Sequence, residues 1–251
     1  MTCMCGHMMA AHQSGAGPYT GWCGDCDCEG PVRRPRLLDL FCGAGGASMG
    51  YHRAGFEVVG VDLSAQPDYP FTFVRADAVE YPLDGFDAVH ASPPCQAFSR
   101  ASLLAKAQGN RRSTLDLVGV TRDRLAASGL PYVIENVEGA PVNGITLCGS
   151  MFGLKVRRHR VFETSFDVGL DLSCDHKQQG KPVGVYGSMG DTVQGTDSVT
   201  GRYVVGGSTA RTLEEAQDAM GIDWMTWARL KESIPPAYTE WVGRRLMEVV
   251  R

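Results

Sequence analysis

The sequence predicts an α/β fold: a parallel sheet covered by helices on both faces, with a small second lobe and an N-terminal Cys/His appendage. Three observations carry that prediction. Short apolar runs alternate with helical segments from residue 36 onward. The apolar runs are continuous rather than alternating, as strands buried on both faces require. The texture also changes on either side of this region. Residues 1–30 are rich in Cys, His and Gly without periodicity, and residues 165–208 are glycine-rich with no long periodic segment. The expected divisions are a Cys/His module at 1–30, a main domain at 36–164, a small lobe at 165–208 and C-terminal helices at 209–251 that return to the main domain.

Each element has its own signal. Leu37 to Phe41 reads as a buried strand and runs directly into Gly43-Ala44-Gly45-Gly46. Ala47 to Ala54 is helical in character, with Gly55 as its stop. Phe56 to Leu63 holds a second strand ending on Asp62, and Phe71 to Val74 a third ending near Asp77. Phe86 to Ala91 is a fourth, ending in Ser92-Pro93-Pro94-Cys95. Thr114 to Ser128 reads as a helix ended by Gly129, and Pro131 to Ile134 as a fifth strand ending in Glu135-Asn136. Val156 to Arg160 reads as strand, which would put Arg158 and Arg160 on one face. Arg211–Ala219, Trp224–Ser233 and Tyr238–Val250 read as helices. In such a sheet, loops at the carboxyl ends of the strands carry function. The polar residues that close these strands lie there.

Composition narrows the class. A 251-residue chain with 43% hydrophobic and 21% charged residues is long enough for a full core and close to globular averages. No run of about 18 apolar residues is present, and no signal peptide is expected, so no membrane association is predicted. The net charge of -4 does not by itself suggest a nucleic-acid binder. Its distribution does. Residues 1–84 carry 5 basic and 10 acidic side chains, residues 85–160 carry 10 and 5, and residues 161–251 carry 9 and 13. A basic middle in an acidic chain is a candidate polyanion footprint, although a solvated helix face would give the same count. Of nine cysteines, five (Cys3, Cys5, Cys23, Cys26, Cys28) fall in the first 28 residues. That skew argues against a disulfide framework and for a reducing compartment.

A strand, a glycine turn and a helix make a backbone cradle for an anionic or nucleotide-like ligand. Asp62 lies 19 residues after Gly43 at the second strand end, where an acidic side chain can hold ribose hydroxyls. Asp77, at the third, can accept from an exocyclic amine. Alone, either aspartate could be a helix cap. The dinucleotide fingerprint is not met, because Gly46 follows Gly45 directly.

Cys95 follows two prolines, which stiffen its loop. A lone cysteine is more often inert packing. Here a stiff loop at a strand end suits a positioned nucleophile, and Glu135 closes the neighbouring strand. Arg158 and Arg160 could orient that carboxylate, favour a thiolate or grip phosphate.

The ordered set Asp39-Leu40-Phe41-Cys42-Gly43-Ala44-Gly45-Gly46, Ser92-Pro93-Pro94-Cys95-Gln96-Ala97-Phe98-Ser99, Glu135-Asn136-Val137 and Arg158-His159-Arg160 resembles the cytosine-C5 DNA methyltransferase family. The likeness spans about residues 36–162 and resumes near Arg211. It implies a Rossmann-like S-adenosylmethionine methyltransferase sheet, with 165–208 as the target-recognition lobe. It further implies that Phe41, Gly43, Gly45 and Pro93 help hold S-adenosylmethionine, with Asp62 at its ribose and Asp77 at its adenine. Cys95 would attack C6 of a flipped cytosine. Glu135 would protonate or stabilise N3. Arg158 and Arg160 would support the thiol, the carboxylate or the DNA backbone. Gln96, Ser99, Asn136 and Arg211 would face substrate. The implied partner is double-stranded DNA. A monomer in the cytoplasm of a bacterium or phage-infected host is expected, with a restriction endonuclease partner not derivable. RNA as substrate, or a silent DNA-binding protein on the same fold, are the alternatives. The sequence departs from the family at Asp62, where Glu is usual, and at Ser233–Glu240, where a Gly-Asn segment is common. The recognition lobe is short, which predicts a short or loosely read DNA site.

The N-terminal cluster offers Cys-x-x-Cys at Cys23 and Cys26, with Cys5 and His12 upstream. These four are the expected ligands of a structural zinc, with Cys3, His7 and Cys28 as substitutes. Cys42 is expected to be packing, and Cys148 and Cys174 have no expected role.

Overall fold

The computed structural model describes residues 33–94, 117–169, 172–190, 192–196 and 203–250, the last two segments as backbone alone up to residue 208. Cys95, Gln96 and Ser99, and the N-terminal Cys5, His12, Cys23 and Cys26, lie outside these residues.

Among the described residues, seven strands form one sheet in the order β3-β2-β1-β4-β5-β7-β6. β1 (Arg36–Leu40), β2 (Glu57–Asp62), β3 (Thr72–Arg75), β4 (Ala88–Ala91) and β5 (Tyr132–Asn136) run parallel. β6 (Ile145–Leu147) and β7 (Arg160–Thr164) close the edge antiparallel. The sheet is therefore mixed, where a parallel one was expected. β6 has only three residues, too few for a period to show. β7 starts at Arg160 rather than Val156, because Arg158 sits at φ 27, outside the extended region. Arg158 and Arg160 therefore do not share one face of a strand.

Adjacent residues of β1 supply the two sides of the core. Leu37 packs with Tyr51, Phe56, Val133, Phe162 and Tyr238 on one face. Leu38 packs with Val61, Val89, Ile134, Val118 and Leu125 on the other. The first face is covered by α1 (Gly46–Ala54) and the last helix (Pro236–Val249); the second by α2 (Leu117–Ser128). α1 and the last helix meet through small residues. A Cβ on Gly50 would run into Thr239 Oγ1 and Pro236 O, and one on Gly243 would come within 2.8 Å of Ala54 Cβ. Thr239 Oγ1 donates to Ala47 O at 2.9 Å.

Beyond β7 lie the short helix α3 (His176–Gln179) and the antiparallel pair β8 (Thr192–Thr196) and β9 (Tyr203–Ser208). α4 (Leu213–Met220), α5 (Trp227–Leu230) and α6 (Pro236–Val249) follow. α4 begins two residues later than expected. Thr212 caps it by accepting from Glu215 N at 3.1 Å, while Glu215 Oε2 accepts from Arg211 N at 2.7 Å. α5 is shorter than expected. Ser233 and Ile234 leave the helix to pack on Gly46, whose Cβ position lies 2.6 Å from Ile234 O.

Candidate active site

Strand order reverses between β1 and β4: β2 and β3 lie to one side of β1, β5 to the other. Ligands of open α/β sheets bind in the crevice at this switch point, outside the strand carboxyl ends. Two loops meet there. β1 feeds Phe41 to Gly46, and β4 feeds Ser92-Pro93-Pro94.

The first loop is a tight left-handed turn. Phe41, Gly43 and Gly45 have φ of 60, 49 and 85. A positive φ in a bulky non-glycine residue marks stored strain, which gathers at functional sites. Among the described residues a Cβ at Gly43 would meet nothing within 4 Å, so they leave this side of the turn open. Gly45 is different: its Cβ would come within 2.9 Å of Pro70 Cδ, so that glycine is there for packing. Among the described residues no side chain caps α1 and no acid lies in its first turn, and a helix N-terminus of that kind suits an anion. Asp62 sits opposite. Its Oδ2 accepts from Gly43 N at 3.1 Å and its Oδ1 from Ser64 N at 2.8 Å. Leu63, beside it, is 69% exposed, an apolar surface next to the cradle. Asp77 caps its own turn, accepting from Val79 N at 2.9 Å. Cys42 is buried, and burial pushes its thiol far up, as packing predicts.

Asp39 was not expected to matter beyond its motif. It is fully buried, accepts from Ser48 Oγ through Oδ2, and leaves Oδ1 without a partner among the described residues. Burial raises its carboxyl to about 7, helped by repulsion from Asp62 and Glu135 and opposed by Ser48. An acid inside an apolar strand is the signal that could have marked it.

The second loop is braced by β5. Asn136, expected to face substrate, donates from Nδ2 to Pro93 O at 3.0 Å and accepts from Val137 N at 2.9 Å. It is 2% exposed and holds the loop that leads into Cys95. Glu135, one residue earlier, is also buried. Arg160 Nε lies 3.1 Å from its Oε1. Burial raises the Glu135 carboxyl, opposed by Arg160, by a hydrogen bond from Ser92 and by Arg158. Behind Ser92, His90 Nε2 lies 2.9 Å from Ser92 Oγ and its Nδ1 lies 2.9 Å from Tyr51 Oη. Burial lowers that imidazole to about 3, so it is neutral and carries hydrogen bonds rather than charge. A line of buried polar groups thus runs from α1 to Glu135.

Arg158 does a different job from Arg160. Its guanidinium donates to the carbonyls of Lys231, Ser233 and Val185, the last at 2.6 Å. It ties the start of β7 to the C-terminal segment. Arg211 is exposed ahead of α4. Among the described residues, no helix is long and apolar enough to cross a membrane.

Residues 35–140 match the C-5 cytosine-specific DNA methylase family. The type II methyltransferase M.HgiGI of Herpetosiphon aurantiacus is 30% identical over 132 residues, which are 44% of this chain and 96% of that protein. The chain belongs to this family. M.HgiDI of the same organism is also 30% identical over 132 residues, but these are only 39% of its length. In structure, the S. pombe Dnmt2 methyltransferase superposes with a TM-score of 0.54 at 16% identity, covering 87% of this chain and all of that one. The Entamoeba histolytica methyltransferase EhMeth gives 0.54 at 13%, over 87% of this chain and 99% of that one. At those identities the likeness establishes the methyltransferase fold. Family membership makes the chain a DNA (cytosine-5) methyltransferase that uses S-adenosylmethionine. The RNA and silent-protein readings are not favoured.

Proposed function

We propose that the chain methylates carbon 5 of cytosine in double-stranded DNA by covalent catalysis through Cys95, on a base turned out of the duplex. The observation that carries this reading is the buried Glu135–Arg160 pair beside the Pro93-Pro94 loop that leads into Cys95. Carbon 5 of cytosine is a poor nucleophile. Addition of the Cys95 thiolate at C6 places electron density on C5. A carboxyl whose affinity for protons is raised by burial can share a proton with N3 and offset the charge that develops. Arg160 orients that carboxyl. After methylation, C5 gives up its proton to water, the C–H electron pair restores the C5–C6 double bond, and the Cys95–C6 bond breaks with its pair on sulfur, which returns the thiolate.

The cradle fits S-adenosylmethionine. Gly43 leaves the turn open, the uncapped N-terminus of α1 suits its carboxylate, and the Asp62 carboxylate beside exposed Leu63 suits a ribose next to an adenine. When bound, that cofactor supplies an electrophilic methyl group. Phe41, Gly45 and Pro93 shape the walls, and Asp77 stands at the base end. Gln96, Ser99 and Arg211 are the proposed DNA contacts.

The recognition lobe at 165–208 is small, so the DNA site it reads is short or loosely defined. The type II names of the relatives suit a restriction–modification setting, with the enzyme acting as a monomer in a bacterial or phage-infected cytoplasm. The N-terminal Cys5, His12, Cys23 and Cys26 are proposed to hold a structural zinc of their own.

A duplex containing 5-fluorocytosine tests the mechanism. The fluorine cannot leave as the proton does, so the active chain stays attached through Cys95. Trapping that persists undiminished in Cys95→Ser would overturn the assignment.

A further inference from the structure

Four side chains that the reaction does not use converge at the start of β7. Cys148 lies just after β6, His159 just before β7, and Cys174 and His176 at the start of α3. Their ligand atoms all lie within 4.8 Å of one another. Cys148 Sγ is 3.3 Å from His176 Nε2, Cys174 Sγ is 2.9 Å from the same nitrogen, and His159 Nε2 is 3.3 Å from Cys174 Sγ. The two imidazoles lie with ring centroids 5.1 Å apart.

We propose that Cys148, His159, Cys174 and His176 form a structural zinc site that pins the start of α3 to the β6 and β7 ends of the catalytic sheet. The chemistry of the set is specific. Two thiolates and two imidazoles are a complete tetrahedral shell for zinc, with no position left for water or substrate, which makes the site structural rather than catalytic. Zn–S near 2.3 Å and Zn–N near 2.0 Å give ligand-to-ligand edges of about 3.3–3.8 Å in a tetrahedron. The 3.3 Å separations match, and the 2.9 Å pair needs a small outward shift. Both histidines turn Nε2 toward the thiols.

An outer shell is present as well. The other nitrogen of His159, Nδ1, lies 3.6 Å from Glu138 Oε2, and a carboxylate behind a ligating histidine fixes its tautomer and raises its basicity. Ser150 Oγ lies 3.3 Å from Cys148 Sγ and 3.5 Å from Cys174 Sγ, where it can hydrogen-bond a thiolate. On binding, each thiol releases its proton to solvent and its sulfur takes the metal.

The site has a reason to exist. His159 stands between Arg158, which grips the C-terminal carbonyls, and Arg160, which meets Glu135. The segment it holds, 153–159, has no strand or helix of its own to fix it.

Zinc content tests the proposal on the full chain. Because the N-terminal cysteines could hold metal too, the parent protein carries serine in place of Cys3, Cys5, Cys23, Cys26 and Cys28. That parent, shown folded by circular dichroism, is expected to retain one zinc per chain by elemental analysis. Adding Cys174→Ser should remove it, and Cys174→His, which restores a ligand, should keep it. Cobalt in place of zinc should give a sulfur-to-metal charge-transfer band that weakens in Cys174→His and vanishes with the metal in Cys174→Ser. If the parent does not fold, the otherwise native chain serves: Cys174→Ser should hold one zinc fewer than native. A folded parent without zinc, or a zinc content unchanged by Cys174→Ser in either background, overturns the proposal.

Discussion

Arg160 Nε and Glu135 Oε1 stand 3.1 Å apart at the antiparallel seam where β7 joins β5, both largely buried. The seam itself makes the pair. Register places Glu135 opposite Phe162, so Arg160, two residues back along β7, lies diagonally across from the carboxylate. Arg160 opposes the burial that raises Glu135. Arg160→Ala is therefore expected to push the Glu135 carboxyl higher. The limb of the kcat/KM profile that reports Glu135 ionising should move to higher pH. Activity should fall by about 10²-fold through lost orientation of the carboxyl. Methyl transfer measured across pH in both proteins checks it; a reduced rate with an unmoved limb would deny Arg160 this role.

Asn136 is expected to act on the loop and not on the cofactor. Asn136→Ala leaves Pro93 O without its buried donor, at a cost of about 1–3 kcal/mol. The rate of 5-fluorocytosine trapping should drop by more than cofactor affinity does, since Pro93 only walls the cofactor cradle while its loop carries Cys95. Equal losses in both would place Asn136 elsewhere in the site.

Asp39 gives the protein a pH-dependent stability. Its folded carboxyl is raised to about 7 from 3.8, so the folded state binds the proton more tightly than the unfolded state. The stability present below the unfolded value is lost as pH rises through about 7. Asp39→Asn cannot ionise and keeps an acceptor for Ser48. Its stability should gain on that of the native protein between pH 4 and 7, by on the order of a few kcal/mol at the upper end, read as a Tm difference that widens with pH. A constant Tm difference across that range would count against the buried acid.

Gly50→Ala should destabilise the fold by about 1–3 kcal/mol, the usual cost of overpacking. The added methyl runs into Thr239 Oγ1 and Pro236 O, both fixed by the first turn of α6. Chemical denaturation with an unchanged m-value would show it. Gly153→Ala, at an open surface position with φ 68, should cost only its backbone strain.

Much of this site was legible in the sequence because its parts are local. The run from Leu37 to Gly46 and the Ser92-Pro93-Pro94 corner announce a strand and a turn within a few residues, and both stand where expected. Glu135 was legible because it closes an apolar strand. What failed needed long-range knowledge. Arg158 reads as a strand residue until its φ of 27 and its grip on Lys231, Ser233 and Val185 are seen, 27 to 75 positions away. The brace that Asn136 gives the Pro93 loop has no local signal, because the carbonyl it holds lies 43 residues upstream. Cys148 and Cys174 carried no signal, since 10 residues separate the first from His159 and no zinc-finger spacing joins them. His90 and Asp39 are polar groups inside apolar strands, a departure from pattern that the sequence itself displays.

The bond from Thr239 to Ala47 spans 192 residues, and it sets an order of events during synthesis. α1 leaves the ribosome long before the last helix, yet the surface around Gly50 finds its cover only when Pro236–Val249 has been translated. Until then the cofactor turn sits on a helix with one side bare. A nascent chain stopped at residue 230 should therefore expose Tyr51 and the Gly50 ridge to protease, whereas the released protein protects them. Synthesis of this enzyme would then include a late step in which Pro236–Val249 locks α1.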